Sequence, residues 1–264
     1  MNDKTGLAII TCNREELFQS ALKSLPKVDY NVVINDGKPL RERCDKLKID
    51  DYIQHKRNVG IGKSKNEALK MMMDAGCDHL FISEDDVEII DTEICYKYIQ
   101  ASKLTGIKHF NYAYHGPDNK DENGNSKSRM IIQYKEILIG LNYYLGGAFS
   151  YYHKDVIEKV GYLDERFKNY HEHVEHTLRI IKAGYHPPFW WFADLAESQK
   201  MIRDLDPDLT RSVIRKNKIV YGLRLRYYTH LFNKKIGCRI EELPKFNGDQ
   251  VRIILAEIEK RHAG

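Results

Sequence analysis

Residues 79–89 read His-Leu-Phe-Ile-Ser-Glu-Asp-Asp-Val-Glu-Ile, an apolar strand that runs into three consecutive carboxylates, Glu84, Asp85 and Asp86, and then turns apolar again. Adjacent carboxylates repel one another, so a cation belongs beside them. Oxygen-only ligands suit Mg2+ or Mn2+, hard ions that keep waters and bind substrate phosphates together with one or two carboxylates. A solvated acidic turn is the plain alternative, because charge runs usually face water. The pattern around the triplet decides between the two.

That pattern is an alternation of strands and helices. Leu7 to Thr11 reads as a buried strand, and the spacing of Leu17, Ala21, Leu22 and Leu25 predicts a helix that Asn13 can cap and Pro26 ends. Tyr30 to Ile34 is a second strand closed by Asn35-Asp36-Gly37, Tyr52 to His55 a third, and Ile61 to Ala75 a helix delimited by Gly76. Such an order predicts an α/β fold with a mostly parallel central sheet, helices on its faces and ligands outside the carboxyl ends of the strands. Thr11, Asp36 and the acidic triplet all fall at such ends. Beyond them come a helix over 92–104, a strand over 108–114, a polar loop or hairpin tip over 115–128, a strand over 130–139, a strand after Gly146-Gly147 and a helix from Lys154 to Val160. From Leu195 onward the pattern is mainly helical.

With 264 residues, 42% of them hydrophobic and 30% charged, the chain can bury a large core. Its apolar runs are far shorter than the roughly 20 residues that span a bilayer. Leu7 to Ile10 gives way at once to polar residues, so no signal peptide is expected and the expected location is cytoplasmic. Cys12, Cys44, Cys77, Cys95 and Cys238 are odd in number and form no C-x-x-C pair, which predicts free thiols. Net charge is +4, yet residues 201–264 hold 14 Lys and Arg against 8 Asp and Glu. This basic tail suits an anionic membrane surface, which would make the protein peripheral at the inner membrane face, or nucleic acid. A solvated helix face is the plain alternative.

Two tempting motifs fail. Arg57 to Ser64 ends like a phosphate-cradling loop, but Arg57 stands where the first glycine is needed, and Lys65 replaces the third glycine of a dinucleotide fingerprint. His171-Glu172-His173-Val174-Glu175-His176 misses a helical zinc motif by one residue, since Glu175 occupies the second histidine position.

Taken in order, the pieces resemble the GT-A fold glycosyltransferases, most closely the inverting, nucleotide-sugar-dependent family 2 group, over residues 6–186. Thr11-Cys12-Asn13-Arg14 is similar to the turn where the nucleotide sits, and Asp36 takes the position of the acid that reads the base. Arg57 to Ala68, with Asn58, Lys63 and Asn66, resembles the segment packed beside the nucleotide. Glu84-Asp85-Asp86 is similar to the metal-binding DXD element, in which Asp86 would contact the metal and Asp85 or Glu84 would approach ribose and water. Gly146-Gly147 resembles the segment near the acceptor, and Val160 to Phe167 is similar to the family's V-G-G-F-D-E-x-F. Glu172 to Tyr185 then tracks the helix that carries the catalytic base. His173 stands where the family places the base aspartate, so the base is open among His173, Glu172 and Glu175.

The resemblance implies a metal-dependent transfer of a sugar from a nucleotide-diphosphate donor, UDP being the expected one, to a hydroxyl of a glycan, teichoic-acid or glycolipid acceptor, with inversion. Mn2+ or Mg2+ at Asp86 would offset charge on the leaving diphosphate. Trp190, Trp191, Tyr143 and Tyr144 can stack on acceptor sugar rings, with core packing as the alternative for the tryptophans; His186 and His230 are candidates for a further metal ligand. Two other functions stay open: glycosylation of modified bases in DNA, and a nucleotide-sugar-binding module without turnover. The expected domains are a catalytic unit over 1–195, with a donor half to about residue 90 and an acceptor half beyond it, and a helical basic extension over 196–264.

Overall fold

A computed structural model describes residues 3–41, 49–212 and 215–264; Cys44 lies outside them. The opening alternation is as predicted: β1 (Thr5–Thr11), α1 (Glu15–Lys23), β2 (Tyr30–Asn35), β3 (Asp51–Gln54), α2 (Ile61–Asp74) and β4 (His79–Glu84). β5 (Val87–Ile89), α3 (Ile94–Thr105), β6 (His109–Asn111), β7 (Met130–Tyr134), β8 (Ile137–Asn142), β9 (Phe149–His153), α4 (Lys154–Val160) and α5 (Glu172–Lys182) follow. β10 (Phe192–Leu195), β11 (Ile202–Asp204), α6 (Lys218–Ile236) and α7 (Gly248–His262) complete the chain.

The central sheet has the order β3-β2-β1-β4-β9-β6. β3, β2, β1 and β4 are parallel, and β9 runs antiparallel between β4 and β6. Strand alternation sends successive side chains to opposite faces. Leu7, Ile9, Val33 and Phe81 therefore enter one core, with Phe18 of α1, Tyr98 of α3 and Leu255 of α7. Ala8, Ile10, Val32, Ile34, Leu80 and Ile82 enter the other, with Leu69 and Met72 of α2 and Val156 of α4. Burial on both faces explains why these strands read as unbroken apolar runs. A third cluster joins Phe167, Leu178 of α5, Phe192 of β10 and Phe232 of α6.

Three local expectations change. Residues 130–139 form not one strand but a hairpin, because Lys135 adopts a left-handed conformation with φ 50° and β8 folds back on β7. Asn13 does not cap α1: it is itself left-handed, with φ 57°, and its Oδ1 accepts from Lys38 N at 2.8 Å. The chain beyond Leu195 first returns as β11, antiparallel to β5, before the two long helices begin.

Candidate active site

Parallel register places the carboxyl ends of the strands along one edge: Ile10 pairs with Glu84 and Thr11 with Asn35. Glu84 is the last residue of β4, and Asp85 and Asp86 form the turn into β5. Both aspartates are buried. The cation their repulsion calls for is present within the chain. Arg14 Nη1 donates to Asp86 Oδ2 at 2.7 Å, and its other terminal nitrogen donates to Asp85. Burial opposes the charge on Arg14, and Asp85, Asp86 and Glu84 more than restore it. Asp85 also accepts from Thr11 Oγ1 at 2.7 Å. Burial still holds its carboxyl above the usual carboxylate range, against the pull of Arg14.

Asp86 retains one oxygen, Oδ1, that is buried without a hydrogen-bond partner. His115 Nε2 lies 3.8 Å from its other oxygen, and His115 Nδ1 lies 3.4 Å from Asp204 Oδ1. Pairing of β11 with β5 sets Asp204 opposite Val87, next to Asp86. Burial lowers the proton affinity of His115, but Asp204 and Asp86 outweigh it. Among the described residues no three His, Cys, Asp or Glu form a complete metal cage. The orphaned, buried carboxylate oxygen of Asp86 nonetheless fits Mg2+ or Mn2+, which take few protein ligands and complete their shell with water and phosphate. His186 and His230 do not join this cluster. His186 is buried with Nδ1 donating to Pro187 O and Nε2 accepting from Ala193 N, and His230 is exposed on α6.

The other proposed nucleotide residues form a buttress. Asp36 accepts four hydrogen bonds, from Val59 N, Gly60 N, Asn58 Nδ2 and His55 Nδ1, all between 2.7 and 2.9 Å. Any base recognised by Asp36 must share or displace one of them. Asn66 ties α2 to the turn before α5 through Leu163 N and O. Lys63 is half-buried on the first turn of α2.

Lys65, rather than Lys63, reaches the centre. Its buried ammonium lies 2.9 Å from Glu84 Oε1 and 3.5 Å from Glu172 Oε1, and it donates to Gly147 O at 3.1 Å. Burial disfavours its charge, but Glu84 and Glu172 keep it protonated. Glu172 opens α5, where the helix N-terminus favours an anion. Burial alone would raise its carboxyl; His173 and Lys65 hold it down at about 2. Since that carboxylate has no proton to give, His173 Nδ1 donates to Glu172 Oε1 at 3.0 Å, and whenever the imidazole is neutral its Nε2 is the acceptor. Gly146 and Gly147 are small for a reason: a Cβ at Gly146 would meet Tyr112 O at 2.1 Å, and one at Gly147 would press on the His173 ring at 3.1 Å. Glu175 does not join this group, being paired with Arg179 Nε at 2.8 Å and Lys235 Nζ at 2.7 Å.

The two tryptophans separate. Trp191 is buried, donates from Nε1 to Phe246 O at 3.0 Å and is covered by Arg129 at 3.8 Å. Trp190 is half-buried with φ 72°, stacks on Tyr143 at 4.9 Å and has an unpartnered Nε1. Tyr143 and Tyr144 are exposed. Two exposed tyrosines, one backed by Trp190, thus stand on the segment that leads into Gly146-Gly147.

No family model matches the sequence, and no curated protein matches it. Among solved structures, the mannosyltransferase PcManGT from Pyrobaculum calidifontis, in complex with GDP-Man and Mn2+, matches with a TM-score of 0.53 and 11% identity over 98% of this chain and 70% of that one. The bifunctional IspDF from Campylobacter jejuni, at 0.41 and 11% over 69% of this chain and 48% of that one, and A197 from STIV, at 0.34 and 17% over 60% and 68%, are too distant to argue from. The fold is a glycosyltransferase-like α/β Rossmann fold: a mixed, mostly parallel sheet flanked by helices, with further helices at its C-terminal end.

Proposed function

We propose that this chain is an inverting glycosyltransferase that moves a sugar from a nucleotide-diphosphate donor to a hydroxyl of a glycan, teichoic-acid or glycolipid acceptor. The observation that carries the reading is the Glu172–His173 pair, held against Gly147 and joined through Lys65 to the acidic turn. His173 Nε2 takes the proton of the acceptor hydroxyl. The acceptor oxygen bonds to the anomeric carbon, and the bond from that carbon to the diphosphate breaks with its electron pair leaving on phosphate oxygen. Glu172 fixes the imidazole tautomer and stabilises the imidazolium that forms, and Lys65 keeps Glu172 anionic and in place. Asp86, through its free Oδ1, would hold Mn2+ or Mg2+, which when bound neutralises charge on the diphosphate. Arg14 keeps Asp85 and Asp86 together and supplies a second cation at the same turn. Trp190, Tyr143 and Tyr144 supply the stacking face for an acceptor sugar.

The domain reading extends this proposal: residues 1–195 carry donor and acceptor sites, and residues 196–264 contribute Asp204 and the helices beneath the base. The test is calorimetry of a UDP-sugar and GDP-mannose panel with and without Mn2+, followed by assay of donor hydrolysis and transfer. Metal-dependent binding and hydrolysis are expected in the wild type and lost in Asp86→Ala. Undiminished metal-dependent binding by that variant overturns the metal assignment, and binding of a donor without any turnover overturns the enzyme.

A further inference from the structure

Residues 209–240 contain nine Lys and Arg and no Asp or Glu. Most of this stretch is α6, whose inner face is fully used. Tyr228 stacks on Tyr170 with ring centroids 5.3 Å apart, His171 Nε2 lies 2.9 Å from Thr229 Oγ1, and Phe232 packs into the cluster with Phe167. The outer face mixes exposed apolar side chains with exposed cations. Ile219, Leu223 and Tyr227 recur at i, i+4 and i+8, one above another on the helix surface, and are 76%, 61% and 61% exposed. Arg215, Lys216, Lys218, Arg224, Arg226 and Lys234 are exposed around them, and none pairs with an acid among the described residues.

We propose that α6 is a monotopic docking helix for an anionic lipid bilayer, lying in the headgroup plane with Ile219, Leu223 and Tyr227 inserted and the cations on lipid phosphates. Cations alone would serve nucleic acid equally well. The exposed aliphatic stripe selects the bilayer, since Ile219 and Leu223 gain by leaving water for acyl chains and gain little against a sugar-phosphate backbone. No helix among the described residues is long and apolar enough to cross a membrane, so the helix rests on the surface. Its inner contacts with Tyr170 and His171 brace it against the start of α5, two residues before His173. This inference is independent of the sugar-transfer reading, because docking is measured without donor.

The test is co-sedimentation of the full chain with phosphatidylcholine vesicles and with vesicles of phosphatidylcholine plus phosphatidylglycerol. Retention is expected on the anionic vesicles only. The Ile219→Asp/Leu223→Asp variant is expected to bind them about tenfold less or weaker, and Arg224→Gln/Arg226→Gln to lose roughly fivefold for each arginine removed, with wild-type melting curves for both. No retention, or equal retention on neutral vesicles, overturns the proposal. Undiminished binding by the aspartate variant also overturns it, as does retention on duplex DNA that is stronger than on vesicles and depends on the arginines alone.

Discussion

Arg14 donates one hydrogen bond to Asp86 and another to Asp85, so the acidic turn carries its own counter-cation. Removing it leaves two buried carboxylates facing each other. Arg14→Gln is expected to cost about 3 to 5 kcal/mol of stability, the scale for breaking a buried ion pair. If the turn also takes a metal, Mn2+ will raise the melting temperature of Arg14→Gln more than that of the wild type. An equal Mn2+ effect on both proteins would dismiss a shared cation site.

The base and its orienter separate by variant. His173→Ala is expected to slow transfer by roughly 100-fold or more with donor affinity nearly unchanged, the scale of general-base loss. Glu172→Gln keeps the imidazole and should lose less. Glu175→Gln should lower stability through Arg179 and Lys235 and leave the rate per folded molecule alone. Transfer rates and donor calorimetry on the three variants decide it, and a normal rate in His173→Ala would place the base elsewhere.

Asp36 presents a different expectation from that of a pure base reader. Its four internal hydrogen bonds lock residues 55–60 to the end of β2. Asp36→Ala strands Val59 and Gly60 N–H groups, at about 1 to 3 kcal/mol for each group left unsatisfied. Urea unfolding should show that loss even without nucleotide. A variant as stable as wild type that binds nucleoside diphosphate poorly would return Asp36 to base recognition alone.

Trp190→Ala and Trp191→Ala should fail in different ways. Trp191 is core, and its loss is expected to cost about 3 to 5 kcal/mol. Trp190→Ala should spare most stability and raise KM for a glycan acceptor while leaving donor hydrolysis unchanged. Identical stability losses with an unaltered acceptor KM would remove Trp190 from the acceptor face.

Acid should unfold the protein early. Burial holds His176 down at about 3 and His186 at about 4, and it holds His109 well below the ordinary range. Their unfolded value is 6.5, so the unfolded chain binds protons first. Stability from these groups is full above pH 6.5 and falls as pH drops, by about 1.4 kcal/mol per unit for each histidine. The loss ends only when the folded values are passed. Glu172, depressed to about 2, adds a further loss as pH falls from its ordinary value of 4.5. Urea midpoints between pH 7 and 5 check this, and a flat profile contradicts it.

Local pattern determined much of this molecule. Alternating apolar runs and helical spacing are properties of neighbouring residues, and so the strands, helices and carboxyl-end placement of Glu84, Asp85, Asp86 and Thr11 were legible in the sequence. His173 beside Glu172 was legible too, as adjacent residues on one helix. What joins them was not. Arg14 meets Asp85 and Asp86 across 71 and 72 positions, and Lys65 meets Glu172 across 107. No periodicity signals contacts of that span, and a lysine in a polar helix reads as solvated until the fold buries it. His115 sat in a polar loop and Asp204 in a tail read as helical; only the pairing of β11 with β5 brings Asp204 beside the acidic turn. Glu175 and Trp191 looked equivalent to Glu172 and Trp190 in sequence. Tertiary packing separated them, because Lys235 of α6 reaches Glu175 and the carbonyl of Phe246, just before α7, accepts from Trp191, whereas Glu172 pairs with His173 and Lys65 and Trp190 stacks on the exposed Tyr143.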